Sequence, residues 1–198
     1  MANLPPAVEE RLGTLTHGLR EHVERVRAEA RELAGHYSID AERVDLAAAA
    51  HDLFRAVGDE DMLREARRYR LQIRPVEDGM PLLLHGPVAA SWLQHEAGVS
   101  DETVLEAVRL HTTGRKGMGP IAKVVYLADK LDPQKAYRYG WIGRVRVLAD
   151  TSLDRALLLF LESSLNDLSR QGAQIHPDSI DLRNELIVSP IPSPEESQ

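Results

Sequence analysis

Residues 47–55 read Ala47-Ala48-Ala49-Ala50-His51-Asp52-Leu53-Phe54-Arg55. Four alanines make a strong helix almost without side-chain bulk, so a second helix can pack close against it, and the run ends in an imidazole beside a carboxylate. Neighbouring helical residues differ by about 100° around the axis. His51 and Asp52 therefore share one rim, and Asp52 has two oxygens able to bridge two ions. The His-Asp pair is weak by itself, because the composition gives about half an occurrence by chance. Its weight depends on what the other segments bring to the same place.

The 198 residues, 43% of them hydrophobic, suffice for the core of one domain. There is no apolar run near 18 residues. Met1-Ala2-Asn3-Leu4-Pro5-Pro6 leads straight into an acidic amphipathic stretch rather than a charged-then-apolar leader, so a cytoplasmic protein is expected. With no cysteine, disulfides, thiolate ligands and a thiol nucleophile are excluded, which leaves His and carboxylates as the strong metal ligands. The formal charge of −7 argues against nucleic-acid and membrane partners. Between His111 and Arg146, however, eight basic residues face two acids, a segment of +6 in a chain that is otherwise −13. It is either a solvated helix face or a local site for phosphates.

Outward from the alanine run the pattern is helical throughout, and no strand is expected. Val8, Leu12, Leu15, Leu19, Val23, Val26, Ala30 and Leu33 recur at three- and four-residue steps, with Gly13 or Gly18 as candidate breaks and His22 on the border of the stripe. Asp40 can cap a helix from Ala41 to about Val57. Residues 71–81, with Pro75, Gly79 and Pro81, have no period and read as a surface loop able to act as a lid. His85 follows three leucines and is expected to be buried, where its ring nitrogens need partners or a metal. Ser100 is the expected cap of the helix that ends in His111 on its apolar face. Thr112-Thr113-Gly114-Arg115-Lys116-Gly117 can offer backbone amides to an anion or be a flexible turn. Asp129 edges the apolar stripe Val124, Val125, Leu127, Ala128 and Leu131, Asp132-Pro133 ends that helix, and residues 134–143 form an aromatic and basic loop. A further amphipathic run covers Val145 to Ser169, with a break near Asp150-Thr151-Ser152. The Pro-rich end is expected to be disordered.

Five separate helical segments thus bring His22, His51 with Asp52, His85, His111 and Asp129 to apolar faces, as helical bundles do for His and carboxylate metal sites. In this order and spacing the chain resembles the HD-domain metallohydrolases. More closely, it is similar to the bacterial symmetrical diadenosine tetraphosphate hydrolases of the YqeK family. Leu84-His85-Gly86-Pro87-Val88-Ala89-Ala90, His111-Thr112-Thr113-Gly114 with Met118, and Tyr126-Leu127-Ala128-Asp129-Lys130 followed by Asp132-Pro133 carry the likeness over residues 14–186. Residues 1–13 are a lead-in and 187–198 a tail.

The resemblance implies an all-α HD-domain bundle with two divalent transition-metal ions in its core. Iron is the first choice, with manganese, cobalt, nickel or zinc also compatible. It implies His22, His51, Asp52 and Asp129 around one ion, with Asp52 bridging to a second held by His85 and His111. The two ions would lower the pKa of a shared water to give hydroxide and clamp the attacked phosphate of a dinucleoside polyphosphate. Arg55, Thr112, Thr113, Gly114, Arg115, Lys135 and Arg138 are the candidate phosphate contacts, and Tyr137 or Trp141 can stack on a base. His17, His36, His95 and His176 match no ligand position and read as surface or packing residues. Two departures concern phosphate binding: Arg55 stands where the family has Lys, and Asp132-Pro133-Gln134-Lys135 where it has Glu-Pro-x-Arg. Another phosphorylated nucleotide as substrate and a non-catalytic nucleotide-binding module are the competing readings. The aromatics of residues 137–141 can equally form a homodimer surface.

Overall fold

Thr14 turns its hydroxyl back onto the Arg11 carbonyl at 2.7 Å, taking a helical acceptor for itself, and Leu15 and Thr16 continue in extended backbone. The first amphipathic run is therefore split at Leu15-Thr16 rather than at Gly13 or Gly18. The computed structural model describes residues 4–136 and 139–188, without the side chains of 135 and 136. The side chain of Lys135, Tyr137 and Arg138, and the Pro-rich tail from 189, lie outside the described residues.

The helices are α1 (Pro6–Thr14), α2 (His17–His36), α3 (Ala41–Ala50), α4 (Asp59–Arg68), α5 (Pro75–Gly79), α6 (His85–His95), α7 (Glu102–Leu110), α8 (Pro120–Lys130), α9 (Pro133–Ala136), α10 (Ile142–Ala149), α11 (Leu153–Arg170) and α12 (Pro177–Val188). A 3-10 turn, Pro81–Leu84, enters α6, and the described residues contain no strand. No helix among them is long and apolar enough to cross a membrane. The expected loop at 71–81 is partly helical: Pro75 starts the single turn α5, and Glu77 returns a carboxylate oxygen to the Arg74 amide at 2.7 Å. The helix α12 has no counterpart in the sequence reading. Leu4 and Val8, in the expected lead-in, are part of the core.

The alanine helix α3 is the centre. It packs against α2, α7 and α8, and Ala47, Ala48, Ala49 and Ala50 are fully buried. Small side chains allow this approach from three sides. On the flank of α3, Asp45 receives both Nε and Nη2 of Arg27 at 3.0 and 2.9 Å and Arg31 Nη1 at 2.9 Å. This buried ion cluster ties α2 to α3, and with it the register of His22 against His51.

Asp40 caps α3 as expected, accepting from the Glu42 and Arg43 amides. The helix stops at Ala50, however, and does not reach Val57. Leu53, Arg55 and Val57 each bond to the carbonyl three residues back, the tighter 3-10 pattern. The cause lies in the site: the His51 ring binds the Ala48 carbonyl at 2.7 Å, the acceptor a continuing α-helix would give to residue 52. For α7, Asp101 and not Ser100 is the cap, since its carboxylate accepts from the amide and hydroxyl of Thr103.

Helix α6 meets α7 at Gly86. A methyl group there would stand 2.8 Å from the Val108 carbonyl and 3.1 Å from the His111 ring. Backbone cannot yield as a side chain does, so Gly86→Ala is expected to cost about 1–3 kcal/mol of stability and to push His111 off its position. Chemical denaturation and metal content measure the two effects. An unchanged midpoint would contradict the tight α6–α7 approach.

Candidate metal centre

Six side chains converge from α2, from the ends of α3 and α7, from the start of α6 and from α8. All are buried, His22 being the most exposed at 8%. Three of the four imidazoles are aimed by one device. Nδ1 of His51, His85 and His111 bonds the carbonyl three residues back, of Ala48, Leu82 and Val108, at 2.7, 2.5 and 2.8 Å. A carbonyl accepts only, so Nδ1 carries the proton and Nε2 keeps its lone pair for the centre. His22, inside its helix, is aimed instead by a carboxylate: its Nδ1 meets Asp132 Oδ2 at 2.5 Å.

The two oxygens of Asp52 face different partners. Oδ1 is 3.1 Å from His85 Nε2 and 3.5 Å from His111 Nε2. Oδ2 is 3.5 Å from both His22 Nε2 and His51 Nε2. Asp129 Oδ1 completes the second half at 3.1 Å from His22 Nε2 and 3.8 Å from His51 Nε2, while its Oδ2 takes Lys130 Nζ at 2.7 Å. Two donor groups result: His22, His51 and Asp129, and Asp52, His85 and His111. Ligands about 2.0–2.2 Å from one divalent ion stand roughly 3–3.5 Å from each other, close to the spacings observed. The residues present therefore fit a pair of ions with Asp52 between them.

The protonation states suit the same purpose. Burial works to raise the Asp52 carboxyl, but the His51, His111 and His85 rings around it outweigh burial and hold the group well below the usual carboxylate range. Burial pushes His111 down to about 3 and also lowers His51. An ionised carboxylate among neutral imidazoles is the state in which these groups bind divalent ions.

Asp132, read from the sequence as a helix end and as part of the family motif but not as a residue of the centre, stands directly behind His22. It is 2% exposed, orients His22, and accepts Arg25 Nε and Nη2 at 2.8 and 3.0 Å. Burial opposes its charge, but these partners bring its pKa down to about 2. Its place three residues after Asp129 was the available signal. Asp132→Asn is expected to weaken metal binding about 10–100-fold in a chelator competition. Unaltered affinity would remove Asp132 from the support of His22.

A cavity of about 130 Å³ opens onto Asp52, His85, His111 and Asp129. It shares Arg55, Leu83, Thr112 and Lys130 with a larger one of about 380 Å³, lined by Tyr126, Trp141 and Phe160 among others. Arg55 is exposed at this shared mouth. Thr112 is also in place, its hydroxyl 3.0 Å from His111 Nε2, and Thr113 lines the larger cavity.

The next two residues are not brought there. The Gly114 amide is already bonded to the Leu110 carbonyl at 2.8 Å, and at φ +64 its missing side chain makes room for Leu182. Arg115 lies toward Glu106, 3.8 Å away, and lines neither cavity. Trp141 stands in the wall of the larger cavity, edge-on to Phe160 at 5.4 Å.

A helical bundle with this paired His and Asp centre is of the HD class. The HD domain family model matches residues 19–134, and the chain belongs to that family. It is 34% identical over 183 residues to the symmetrical bis(5'-nucleosyl)-tetraphosphatase of Bacillus subtilis, covering 90% of this chain and 97% of that one. With the enzyme of the same name from Halalkalibacterium halodurans it shares 32% over 174 residues, 88% and 91% of the two chains. Among solved structures, a predicted HD superfamily hydrolase involved in NAD metabolism from Clostridium acetobutylicum superimposes with a TM-score of 0.86 at 27% identity, covering 91% of this chain and 95% of that one.

Proposed function

We propose that the protein is a metal-dependent phosphohydrolase that cleaves diadenosine tetraphosphate at its centre to give two ADP. The observation that carries this reading is the division of Asp52 between two His pairs, and the names of the relatives support the substrate. In this reading His22, His51, Asp129 and Asp52 hold one divalent ion, and Asp52, His85 and His111 the other. Such a pair supplies Lewis acidity and an acidified water.

The chain's own groups do the rest. The carbonyl and Asp132 contacts keep the imidazoles oriented without reorganisation. Arg55 offers a planar fork to a phosphate at the cavity mouth, Thr112 adds a hydroxyl beside it, and Lys130 holds Asp129. Backbone donors from Gly114 are not part of the reading, because that amide is engaged. Trp141 stands in the cavity wall, which favours a base platform over a homodimer surface for that residue.

Iron as the metal, a cytoplasmic location, and a small dinucleoside polyphosphate in place of nucleic acid or membrane complete the proposal. The His and carboxylate donors accept iron, manganese, cobalt, nickel or zinc. Metal analysis of freshly purified protein, with chromatography of the reaction products, tests it. About two ions per chain and ADP as the sole product are expected. Two ions with intact diadenosine tetraphosphate would transfer the reading to another phosphorylated nucleotide, and a metal-free protein that takes up none would refute the centre.

A further inference from the structure

We infer that Arg11 is a positioning residue for phosphate binding: from α1 it fastens the turn that carries Arg55, and so holds that guanidinium at the mouth of the two cavities. This rests on the phosphohydrolase reading for the role of Arg55 and adds a residue that touches neither metal nor phosphate. The sequence placed residue 11 in a lead-in, and the HD family model begins only at residue 19. Yet α1 packs against α3 with Val8 fully buried, which brings Arg11 beside the end of the alanine helix.

The chain needs a hold at that point. Beyond Ala50 the backbone leaves the α-helix, and Val57 bonds the Phe54 carbonyl at 3.1 Å where a continuing helix would have it bond Leu53. The Leu53 carbonyl thus loses its helical donor, in a residue only 2% exposed, and a buried carbonyl requires a partner. Arg11 Nε supplies it at 3.2 Å. The same guanidinium lies 3.6 Å from the centroid of the Phe54 ring and 5.2 Å from that of Trp92, an attractive placement of a cation over aromatic faces. One side chain therefore grips a backbone carbonyl and the ring of the next residue, immediately before Arg55.

The consequence falls on Arg55 rather than on the metal centre. Asp52, at the start of the same turn, is surrounded by four imidazoles. Arg55 is exposed, so the direction of its side chain depends on the backbone that carries it. Arg11 lies in a separate groove with Phe54, Val57 and Trp92, and no residue of that groove lines either cavity apart from this connection through the chain. Any influence of Arg11 on phosphate therefore passes through the turn.

Two substitutions isolate the hold. Arg11→Met keeps length and apolar contact but has no donor and no charge, and Arg11→Lys keeps a charged donor. Arg11→Met is expected to lower kcat about tenfold with the metal content of wild type, and Arg11→Lys to recover to within about threefold of wild type. In an Arg55→Ala background the same Arg11→Met change should cost less than about twofold, because the group it positions is gone. Multiplication of the two losses would overturn the inference by reducing Arg11 to a support of the fold, and loss of metal in Arg11→Met would overturn it by moving the effect to Asp52.

Hydrogen exchange reads the hold without turnover. The Arg55 and Val57 amides should exchange about tenfold faster in Arg11→Met while those of α2 keep their protection; unchanged exchange at 55 and 57 would refute the fastening. Inorganic tripolyphosphate should bind metal-loaded Arg11→Met about fivefold more weakly than wild type, and Arg11→Met should add nothing to Arg55→Ala in that titration; equal binding by wild type and Arg11→Met would refute the link to phosphate. A metal-loaded wild type that leaves diadenosine tetraphosphate intact is instead a failure of the phosphohydrolase reading, and exchange and tripolyphosphate binding then still decide the role of Arg11.

Discussion

Asp52→Asn is expected to lower diadenosine tetraphosphate hydrolysis by on the order of 10³-fold or more and to reduce bound metal from about two ions to one or fewer. The change keeps size and one oxygen but replaces the other by an amide nitrogen with no lone pair to give. Because Oδ1 faces His85 and His111 while Oδ2 faces His22 and His51, whichever orientation the amide takes, one half of the centre loses its shared ligand. The substitution also removes a charge that three neighbouring rings stabilise. Elemental analysis and a turnover assay on the same preparation are sufficient. Full metal occupancy and normal turnover in Asp52→Asn would rule out the shared carboxylate.

Arg55→Ala should have the next largest effect, a fall of about 10²–10³ in kcat, with the metal retained. Arg55 is exposed and lies at the mouth common to both cavities, so its loss opens no hole in the core. The guanidinium can meet two oxygens of one phosphate where negative charge grows during cleavage. Arg55→Lys retains the charge without the fork and is expected to fall between the two, about tenfold below wild type. Steady-state kinetics beside metal content separates the roles. A loss of metal in Arg55→Ala would show that the residue supports the centre rather than the phosphate.

Much of the centre was legible because each ligand sits in a locally unusual setting. An imidazole after three leucines, another closing an apolar face at His111, and a carboxylate edging the stripe of α8 are hard to account for as ordinary core residues. Their chemistry is visible one residue at a time. Asp132 and His176 were not legible in this way. Asp132 sits beyond the end of α8, and its value comes from meeting His22, 110 positions away. His176 follows a stretch with no amphipathic period, so neither α12 nor the burial of its first turn was anticipated. The Gly114 loop illustrates the opposite error: a glycine beside hydroxyls suggested an anion cradle, but the left-handed backbone there serves the packing of Leu182.

The same contrast explains the element boundaries. Helical periods, the Asp40 cap and the break before Ser152 depend on contacts within a few residues, and those contacts are written in the local sequence. The early end of α3 is not, because the ring that takes the Ala48 carbonyl is held there by burial among other helices. By itself the sequence determined an all-helical chain with an alanine helix at its centre and six His and Asp side chains on apolar faces, since helical period and side-chain chemistry are local properties. Only the tertiary structure decided which Asp52 oxygen serves which His pair and that Asp132 orients His22, because each depends on distances between segments far apart in the chain.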